Sequence, residues 1–225
     1  MNRSCPAQQL PSKKNKVIRM GNTVVKTISD PNRFRTEKEI GDLLLNSGLP
    51  ILERLAVDET NHRLLYRYVA GVPAVDLLDS IGLEQAKDLI RKICAWLLEF
   101  YRILNRDKGN QFILGDIHLR NFLYDEDTQR LYGLDFEECR PGRIESDTAR
   151  LLVFILHYEP AFTQRKKELA ACFRETMEAA LTLDQAFLEQ EIERETAELE
   201  IRRAFKHRGH PLGQEVPEGK KDACE

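Results

Sequence analysis

The sequence predicts an α+β fold with two lobes, a small β-rich N-terminal lobe and a helical C-terminal lobe. Its first part contains four short segments rich in β-branched and apolar residues, at 17–20, 23–28, 52–57 and 63–69. Such residues favour strands because they pack well on a pleated surface. In its second part, apolar residues recur at helical spacing over long stretches, which is typical of amphipathic helices. Strands followed by helices, rather than an alternation of the two, indicate an α+β architecture.

A break at residues 70–73 (Ala-Gly-Val-Pro) sets the predicted boundary between the lobes. Glycine and proline interrupt regular structure, and here they follow the last predicted strand. The chain of 225 residues is long enough for one large domain or two small lobes. We therefore predict a reduced first lobe at 1–70, a helical second lobe at 71–208 and a mobile tail at 209–225.

The first lobe opens with a predicted β-hairpin. The segments 17–20 and 23–28 flank the pair Gly21-Asn22, which favours a tight turn between antiparallel strands. Residues 1–15 are polar and contain two prolines, which indicates a loose arm or a weakly marked first strand.

A helix is predicted at 36–46, after Asp30-Pro31 ends the hairpin. Thr36 is the candidate helix cap, because Glu39 three residues later completes a capping-box pattern.

In the second lobe, the strongest pattern is a wide apolar stripe that predicts a long helix at 83–104. Three short apolar pieces follow, at 112–114, 122–124 and 131–134. From residue 148 onward the sequence predicts only helices. The last of them, at 184–205, carries glutamates early and basic residues late, the order that the helix dipole favours.

Composition excludes several classes of protein. The chain is 42% hydrophobic and 32% charged, which is typical of a soluble globular protein. Its formal net charge of −3 argues against a general nucleic-acid binder, because neutralising phosphates requires a net basic surface. The longest apolar run, at 151–156, is far too short to cross a bilayer.

The cysteines and the N-terminus indicate a cytoplasmic protein. The five cysteines are odd in number, widely scattered and without a CxxC pair, so reduced thiols are the simplest interpretation. The lysines near the N-terminus have no adjacent apolar stretch, and the sequence therefore predicts no secretory signal.

The chemistry of the chain is concentrated in one acid, one amide and a second acid. Asn121 follows Asp116 by five positions and Asp135 follows it by nineteen, each beside a short apolar run. Phosphoryl transfer needs such a set: one carboxylate orients a hydroxyl and accepts its proton, while an amide and a second carboxylate hold magnesium ions that bridge the ATP phosphates. Taken singly, each residue also has an alternative interpretation as a turn residue.

A lysine and a glutamate in the first lobe complete this set. Lys26 lies in an otherwise apolar or β-branched strand, where it is either a solvent-facing residue or a ligand of the ATP phosphates held by a helix carboxylate. Glu37 is the favoured partner because it shares a helix face with Ile40 and Leu44. Glu39 is the competing candidate.

Two further residues have two interpretations each, and one backbone segment is a candidate binding site. His118 either supports the catalytic loop or phosphates, or is a partly exposed loop residue. Asp147 either caps the helix that follows it or also braces the backbone of the catalytic loop. The backbone of Tyr68 and Val69 follows the last strand of the first lobe and is a candidate for binding an adenine edge.

At these residues the chain resembles the protein-kinase-like superfamily, most closely the bacterial aminoglycoside/choline phosphotransferase branch. That branch carries a His-Gly-Asp-x-His-x-x-Asn loop, then Ile-Asp-Phe/Trp-Glu, then an Asp-x-Ala helix start. This chain has Gly-Asp-Ile-His-Leu-Arg-Asn at 115–121, Leu-Asp-Phe-Glu at 134–137 and Asp-Thr-Ala at 147–149. The resemblance is weaker over the rest of 17–156, and the small size is also similar to the compact Bud32/RIO-like and lipopolysaccharide-kinase branches.

The resemblance implies ATP and Mg2+ as cofactors, bound between the lobes. Asp116 would be the catalytic base, with His118 beside it. Asn121 and Asp135 would be the magnesium ligands. The pair formed by Lys26 and Glu37 would position the phosphates, and a hydroxyl would receive the phosphoryl group.

Two positions depart from the family pattern. Leu114 stands where the family's first loop residue is usually histidine. No glycine occurs in residues 1–16, although a glycine-rich loop normally covers the phosphates and excludes water. A shortened cover, weak nucleotide binding and a catalytically silent pseudokinase or scaffold are the open interpretations.

We therefore predict an ATP- and Mg2+-dependent phosphotransferase that acts on a small-molecule hydroxyl. The segment 138–146 is too short for a long regulatory activation loop, which favours a small acceptor over a protein. An atypical protein kinase of the Bud32/RIO type and a silent nucleotide-binding scaffold are the alternatives. The sequence predicts neither the acceptor nor the oligomeric state.

Overall fold

The computed structural model describes residues 7–12, 14–108 and 111–207. The predicted tail at 209–225 lies outside the described residues, as do residues 1–6 of the predicted N-terminal arm.

The first lobe is a five-stranded antiparallel sheet with one helix. The strand order is β1-β2-β3-β5-β4, and the helix α1 connects β3 to β4. The predicted hairpin is confirmed, because β2 pairs with β3 around Gly21, whose φ of 59° is left-handed. These elements are β1 (Gln8–Gln9), β2 (Lys16–Met20), β3 (Thr23–Thr27), α1 (Pro31–Leu45), β4 (Arg54–Asp58) and β5 (Arg63–Arg67).

The start of α1 differs from the prediction. Its cap is Asp30 rather than Thr36: the Asp30 carboxylate accepts the N–H of Asn32 at 2.8 Å and of Arg33 at 3.3 Å. Pro31 occupies the first helical position, where its missing N–H costs nothing and its fixed φ suits a helix. The dipeptide Asp30-Pro31, which was expected only to end the hairpin, therefore also starts the helix.

The second lobe consists mainly of helices, with short strand pairs between α3 and α4. The long predicted helix and the three apolar pieces after it are confirmed. The short helix α2 was not predicted, because Pro73 marks its start rather than a break. The elements are β6 (Val72–Pro73), α2 (Ala74–Ser80), α3 (Leu83–Lys108), β7 (Phe112–Ile113), β8 (Phe122–Asp125), β9 (Arg130–Gly133), β10 (Arg140–Pro141), α4 (Ile144–His157), α5 (Gln164–Ala180) and α6 (Gln185–His207).

The main hydrophobic core lies around α3, whose apolar face packs against α5 and against the strands that carry the candidate site. Phe136 joins this core: its ring centroid lies 6.3 Å from those of Trp96 and Phe100, and the rings are stacked. Because Phe136 directly follows Asp135, the core fixes the backbone next to a candidate metal ligand.

The connection between α1 and β4 ties the first lobe to the second. The carbonyl of Pro50 accepts the indole N–H of Trp96 at 2.8 Å and the backbone N–H of Gly133 at 3.1 Å. Ile51 also forms an isolated parallel bridge with Gly133. This tether lies one residue from Leu134 and hence close to Asp135.

Cys94, Cys139 and Cys172 are buried and free, which fits the expectation of reduced thiols for these three. Cys5 and Cys224 lie outside the described residues. Within the described ranges, every helix is too short or too polar to cross a bilayer.

Gly133→Ala is expected to lower the free energy of unfolding by about 1–3 kcal/mol, the usual cost of overpacking. A Cβ at this position would overlap the indole ring of Trp96, which is itself buried. Urea denaturation followed by circular dichroism measures the change.

Gly41→Ala is the matched control, because Gly41 lies inside α1 and a Cβ there would meet only the end of the Arg54 side chain, at 3.1 Å. Alanine is favoured over glycine in a helix by about 1 kcal/mol, so this variant should be at least as stable as the wild type. Equal losses in both variants would contradict a specific clash at Gly133.

Candidate active site

The hairpin of β8 and β9 brings Asn121 next to the residue before Asp135. Asn121 closes a short 3-10 turn, Leu119–Asn121, and its backbone carbonyl accepts the N–H of Leu134 at 2.8 Å. Its side-chain oxygen accepts the N–H of His118 at 2.8 Å, and its side-chain nitrogen lies 3.5 Å from the Leu134 carbonyl. The buried amide is therefore held in one orientation.

Asp135 has a backbone conformation that aims its side chain out of the core. Its φ of 68° lies in the left-handed region, which is uncommon for a residue with a side chain. The Asp135 side chain is 44% exposed, while the following Phe136 is buried. The left-handed residue bends the chain at the start of the turn at 137–138, just after the strand β9.

Lys26 is the centre of the site. Its Nζ lies 3.2 Å from Glu37, 2.5 Å from Asp135 and 3.2 Å from Glu137. Burial alone would lower the pKa of Lys26, but the three carboxylates outweigh it and hold that pKa above its usual value. The ammonium is therefore fully charged and links the first lobe to the second.

Glu37 has the position predicted for the lysine's partner, and Glu39 is exposed on the opposite side of the helix. The Glu37 carboxylate accepts the backbone N–H of Phe136 at 2.6 Å and the Tyr66 hydroxyl at 3.0 Å, besides contacting Lys26. Since each of these donors compensates the buried negative charge, Glu37 is well satisfied despite being 3% exposed.

Asp116 is paired with a cation at each of its two oxygens. Oδ1 lies 3.0 Å from Arg150 and Oδ2 lies 3.2 Å from Lys14. Burial by itself would raise the pKa of the Asp116 carboxyl, but the charges of Arg150 and Lys14 outweigh it and hold that pKa below its usual value. The carboxylate is therefore ionised at neutral pH, as a hydroxyl-orienting base must be.

Asp147 braces the loop that carries Asp116, and its interpretation as a helix cap was wrong. Helix α4 begins at Ile144, so Asp147 lies inside its first turn. Its buried carboxylate accepts the N–H groups of Leu114 and Gly115 at 2.7 and 3.0 Å and the hydroxyl of Tyr101 at 3.0 Å. The backbone of Leu114 is thus fixed without the family's histidine, and its apolar side chain is buried in the core.

The ring of His118 packs beside α4. Its Nδ1 is buried without a hydrogen-bond partner among the described residues, and its ring lies 5.6 Å from that of Phe154. Burial lowers the pKa of His118, so the imidazole is neutral at neutral pH. Its assignment as a catalytic residue stays a prediction.

The two residues expected to bind adenine lie at the end of β5. The N–H of Tyr68 donates to the Asn22 carbonyl at 2.8 Å, and the Arg19 guanidinium stacks 3.5 Å above the Tyr68 ring. This N–H is therefore occupied, which leaves the carbonyl of Tyr68 and the backbone of Val69 for a purine. Their role stays a prediction.

Five site residues received no role from the sequence. Glu137 contacts Lys26 and accepts the side-chain amide of Asn15 at 2.5 Å, while Glu138 lies 3.1 Å from Lys14. Arg150 is the fifth. It could have been predicted, because it lies one helical turn after Asp147 and therefore on the same face of the helix. Lys14 and Asn15 had none, because they reach the site from more than a hundred positions away.

The donor set fits magnesium and a nucleotide. Asp135 and Asn121 offer a carboxylate and an amide oxygen, the hard ligands that Mg2+ prefers. The amide oxygen of Asn121 has a second lone pair beyond the one that accepts from His118. Lys26 provides the charged donor that a phosphate requires.

Comparisons of sequence find no relative: no protein-family model matches the chain, and no curated protein does. Comparison of structures, however, finds similar folds. A choline/ethanolamine kinase family protein from Mesorhizobium loti superposes with a TM-score of 0.53 at 16% identity, over 87% of this chain and 88% of its own.

Two antibiotic phosphotransferases are also similar. The complex of APH(2'')-IIa with streptomycin and ATP has a TM-score of 0.61 at 12% identity, over 92% of this chain and 90% of its own. An aminoglycoside-3'-phosphotransferase of type VIII has a TM-score of 0.62 at 14% identity, over 85% of this chain and 94% of its own. The chain therefore has the two-lobed protein-kinase-like fold that the sequence resemblance implied.

Asp147→Asn is expected to lower the free energy of unfolding by about 1–3 kcal/mol, because an amide nitrogen cannot accept the buried N–H of Leu114 or Gly115. Urea denaturation measures this loss.

Asp88→Asn is the control, since Asp88 is an exposed residue of α3 paired with Arg91. Its expected effect stays within about 0.5 kcal/mol. An Asp147→Asn protein as stable as this control would contradict the bracing role.

Proposed function

We propose that this protein is an ATP- and Mg2+-dependent phosphotransferase that transfers the terminal phosphoryl group of ATP to a hydroxyl of a small molecule. The observation that carries the proposal is the contact of one buried lysine, Lys26, with carboxylates from both lobes, Glu37 and Asp135. A lysine paired with a helix glutamate is what phosphate positioning in kinases requires. The fold shared with phosphotransferases supports the same conclusion.

Five residues of the site have roles in this proposal. Asp135 and Asn121 hold the metal, and Lys26, kept in place by Glu37, binds phosphate oxygens. When bound, MgATP supplies an electrophilic phosphoryl group whose developing charge the metal neutralises. Asp116 orients the acceptor hydroxyl and accepts its proton. Catalysis then consists mainly of positioning and of fixed charge.

An open cavity near the 3-10 turn that follows Asp116 is our candidate for the acceptor site. Its volume is about 330 Å3, within the range usual for ligand pockets. It lies between the 3-10 turn that follows Asp116 and helices α4 and α6. Its lining combines aromatic and apolar side chains with charged ones. The lining residues are Arg120, Phe154, His157, Tyr158, Glu159, Leu199 and Arg203.

Asp135→Asn is expected to lower Mg2+-dependent ATP turnover by about a hundredfold or more, because the metal loses its charged ligand. Asp116→Asn should lose turnover similarly but should not bind MgATP more weakly than the wild type, since Asp116 acts on the acceptor. Phosphate release and calorimetric titration with MgATP measure the two effects, and EDTA should abolish the wild-type turnover.

Asp127→Asn, in the exposed turn between β8 and β9, is the matched control and should behave as wild type. Undiminished turnover in Asp135→Asn would remove the assigned metal role.

Leu199→Trp is expected to block phosphorylation of small molecules while leaving MgATP binding unchanged, because the larger side chain fills the acceptor cavity. The measurement is mass spectrometry of a metabolite pool incubated with ATP and each variant. Ile201→Trp, on the exposed side of α6, is the control. Product formation by Leu199→Trp at the wild-type level would show that the acceptor does not bind in this cavity.

Two other functions are tested by simple assays. The lack of glycine between β1 and β2 favours a catalytically silent scaffold. The absence of any thermal shift with millimolar MgATP would support a scaffold that does not bind nucleotide, because a ligand of the folded state stabilises it. Labelling of the protein itself by ATP without an added acceptor would instead support an atypical protein kinase.

A further inference from the structure

The connection between β1 and β2 sends a lysine into the candidate active site. This connection occupies the place of a phosphate-covering loop, but its residues 10–15 contain no glycine. Lys14 Nζ lies 3.2 Å from Asp116 Oδ2 and 3.1 Å from Glu138 Oε1. A side-chain cation therefore lies where backbone amides alone would be expected.

Residues on both sides of Lys14 are held in place, whereas its ammonium group has only partly exposed partners. The backbone N–H of Leu10 donates to the Val17 carbonyl at 2.9 Å, and the side-chain amide of Asn15 donates to the Glu137 carboxylate at 2.5 Å. By contrast, the side chains of Lys14 and Asp116 are 48% and 35% exposed, and ion pairs of such exposure are weak and screened by water. The lysine can thus exchange one anion for another without moving its loop.

The pair between Lys14 and Asp116 conflicts with the proposed role of Asp116. One oxygen of Asp116 is bound to Arg150, which also donates to the Gly115 carbonyl at 2.8 Å and so belongs to the loop's framework. The other oxygen is bound to Lys14. Pairing with Lys14 neutralises part of the charge on the oxygen that would accept the hydroxyl proton, and Lys14 is the more exposed of the two cations. A phosphate anion is the group that would draw it away.

We propose that the Lys14 side chain binds the terminal phosphate of the nucleotide, in place of a glycine-rich loop, and leaves Asp116 free for the acceptor when it does so. This inference rests on the proposed function. The terminal phosphate is favoured because Lys14 contacts the base that orients the acceptor hydroxyl, and this hydroxyl attacks the terminal phosphate. Lys26 instead contacts the metal ligand Asp135 and serves the inner phosphates.

The test compares a triphosphate analogue with a diphosphate. Calorimetric titration with Mg·AMP-PNP and MgADP should show that Lys14→Met weakens AMP-PNP binding about tenfold and ADP binding less than twofold, since one charged hydrogen bond is lost only with the triphosphate. Lys14→Arg should keep the wild-type ratio of the two affinities. Lys16→Met, in the adjacent strand β2, should change neither affinity.

A second measurement tests the exchange between the two anions. Asp116→Asn removes the carboxylate that competes for Lys14, so it should tighten AMP-PNP binding. The gain should be smaller in a Lys14→Met background, where only the general loss of negative charge remains.

Three results would overturn the inference. An unchanged ratio of affinities in Lys14→Met excludes a contact with the terminal phosphate. Tighter AMP-PNP binding by Lys14→Met would make Lys14 an inhibitor of the site. Failure of the wild-type protein to bind either nucleotide overturns the proposed function as well, whereas the first two results leave it intact.

Discussion

The buried ammonium group of Lys26 is the interaction on which the site depends. Three carboxylates surround it, from α1 in the first lobe and from the segment after β9 in the second. Breaking a buried pair by removing one partner costs about 3–5 kcal/mol, because the other charge is left uncompensated. Glu37 and Glu137 are nearly fully buried, so neither lobe can satisfy this cluster without the other. The ion pairs of Lys26 therefore join the two lobes at the candidate site.

Around this cluster, backbone N–H groups hold three of the side chains that shape the site. Asp147 accepts two N–H groups of the loop that carries Asp116, Glu37 accepts the N–H of Phe136, and the oxygen of Asn121 accepts the N–H of His118. Such bonds are insensitive to salt and position the loops directly. The most exposed charges of the site are those of Lys14 and Asp135, whose side chains are 48% and 44% exposed.

Local chemistry predicted most of the fold and the residues of the second-lobe loops. Strand and helix periods, the Gly21 turn and the spacing of Asp116, Asn121 and Asp135 are properties of neighbouring positions, and the helix cap at Asp30 was missed only because Pro31 was taken as a breaker. Lys14 and Asn15 could not be found this way. Their partners are determined by tertiary structure, since a polar segment near the N-terminus carries no periodic signal.

The carbonyl of Pro50 has one more consequence. It is bound to both Trp96 and Gly133 in the second lobe, while its own chain runs on into β4 of the first. This contact fixes the β4 edge of the sheet to the second lobe. The strands β1 and β2 lie at the far edge of that sheet, beyond β3 and β5 from β4. There Lys14 and Asn15 contact Asp116, Glu138 and Glu137, so the sheet is joined to the second lobe at both of its edges.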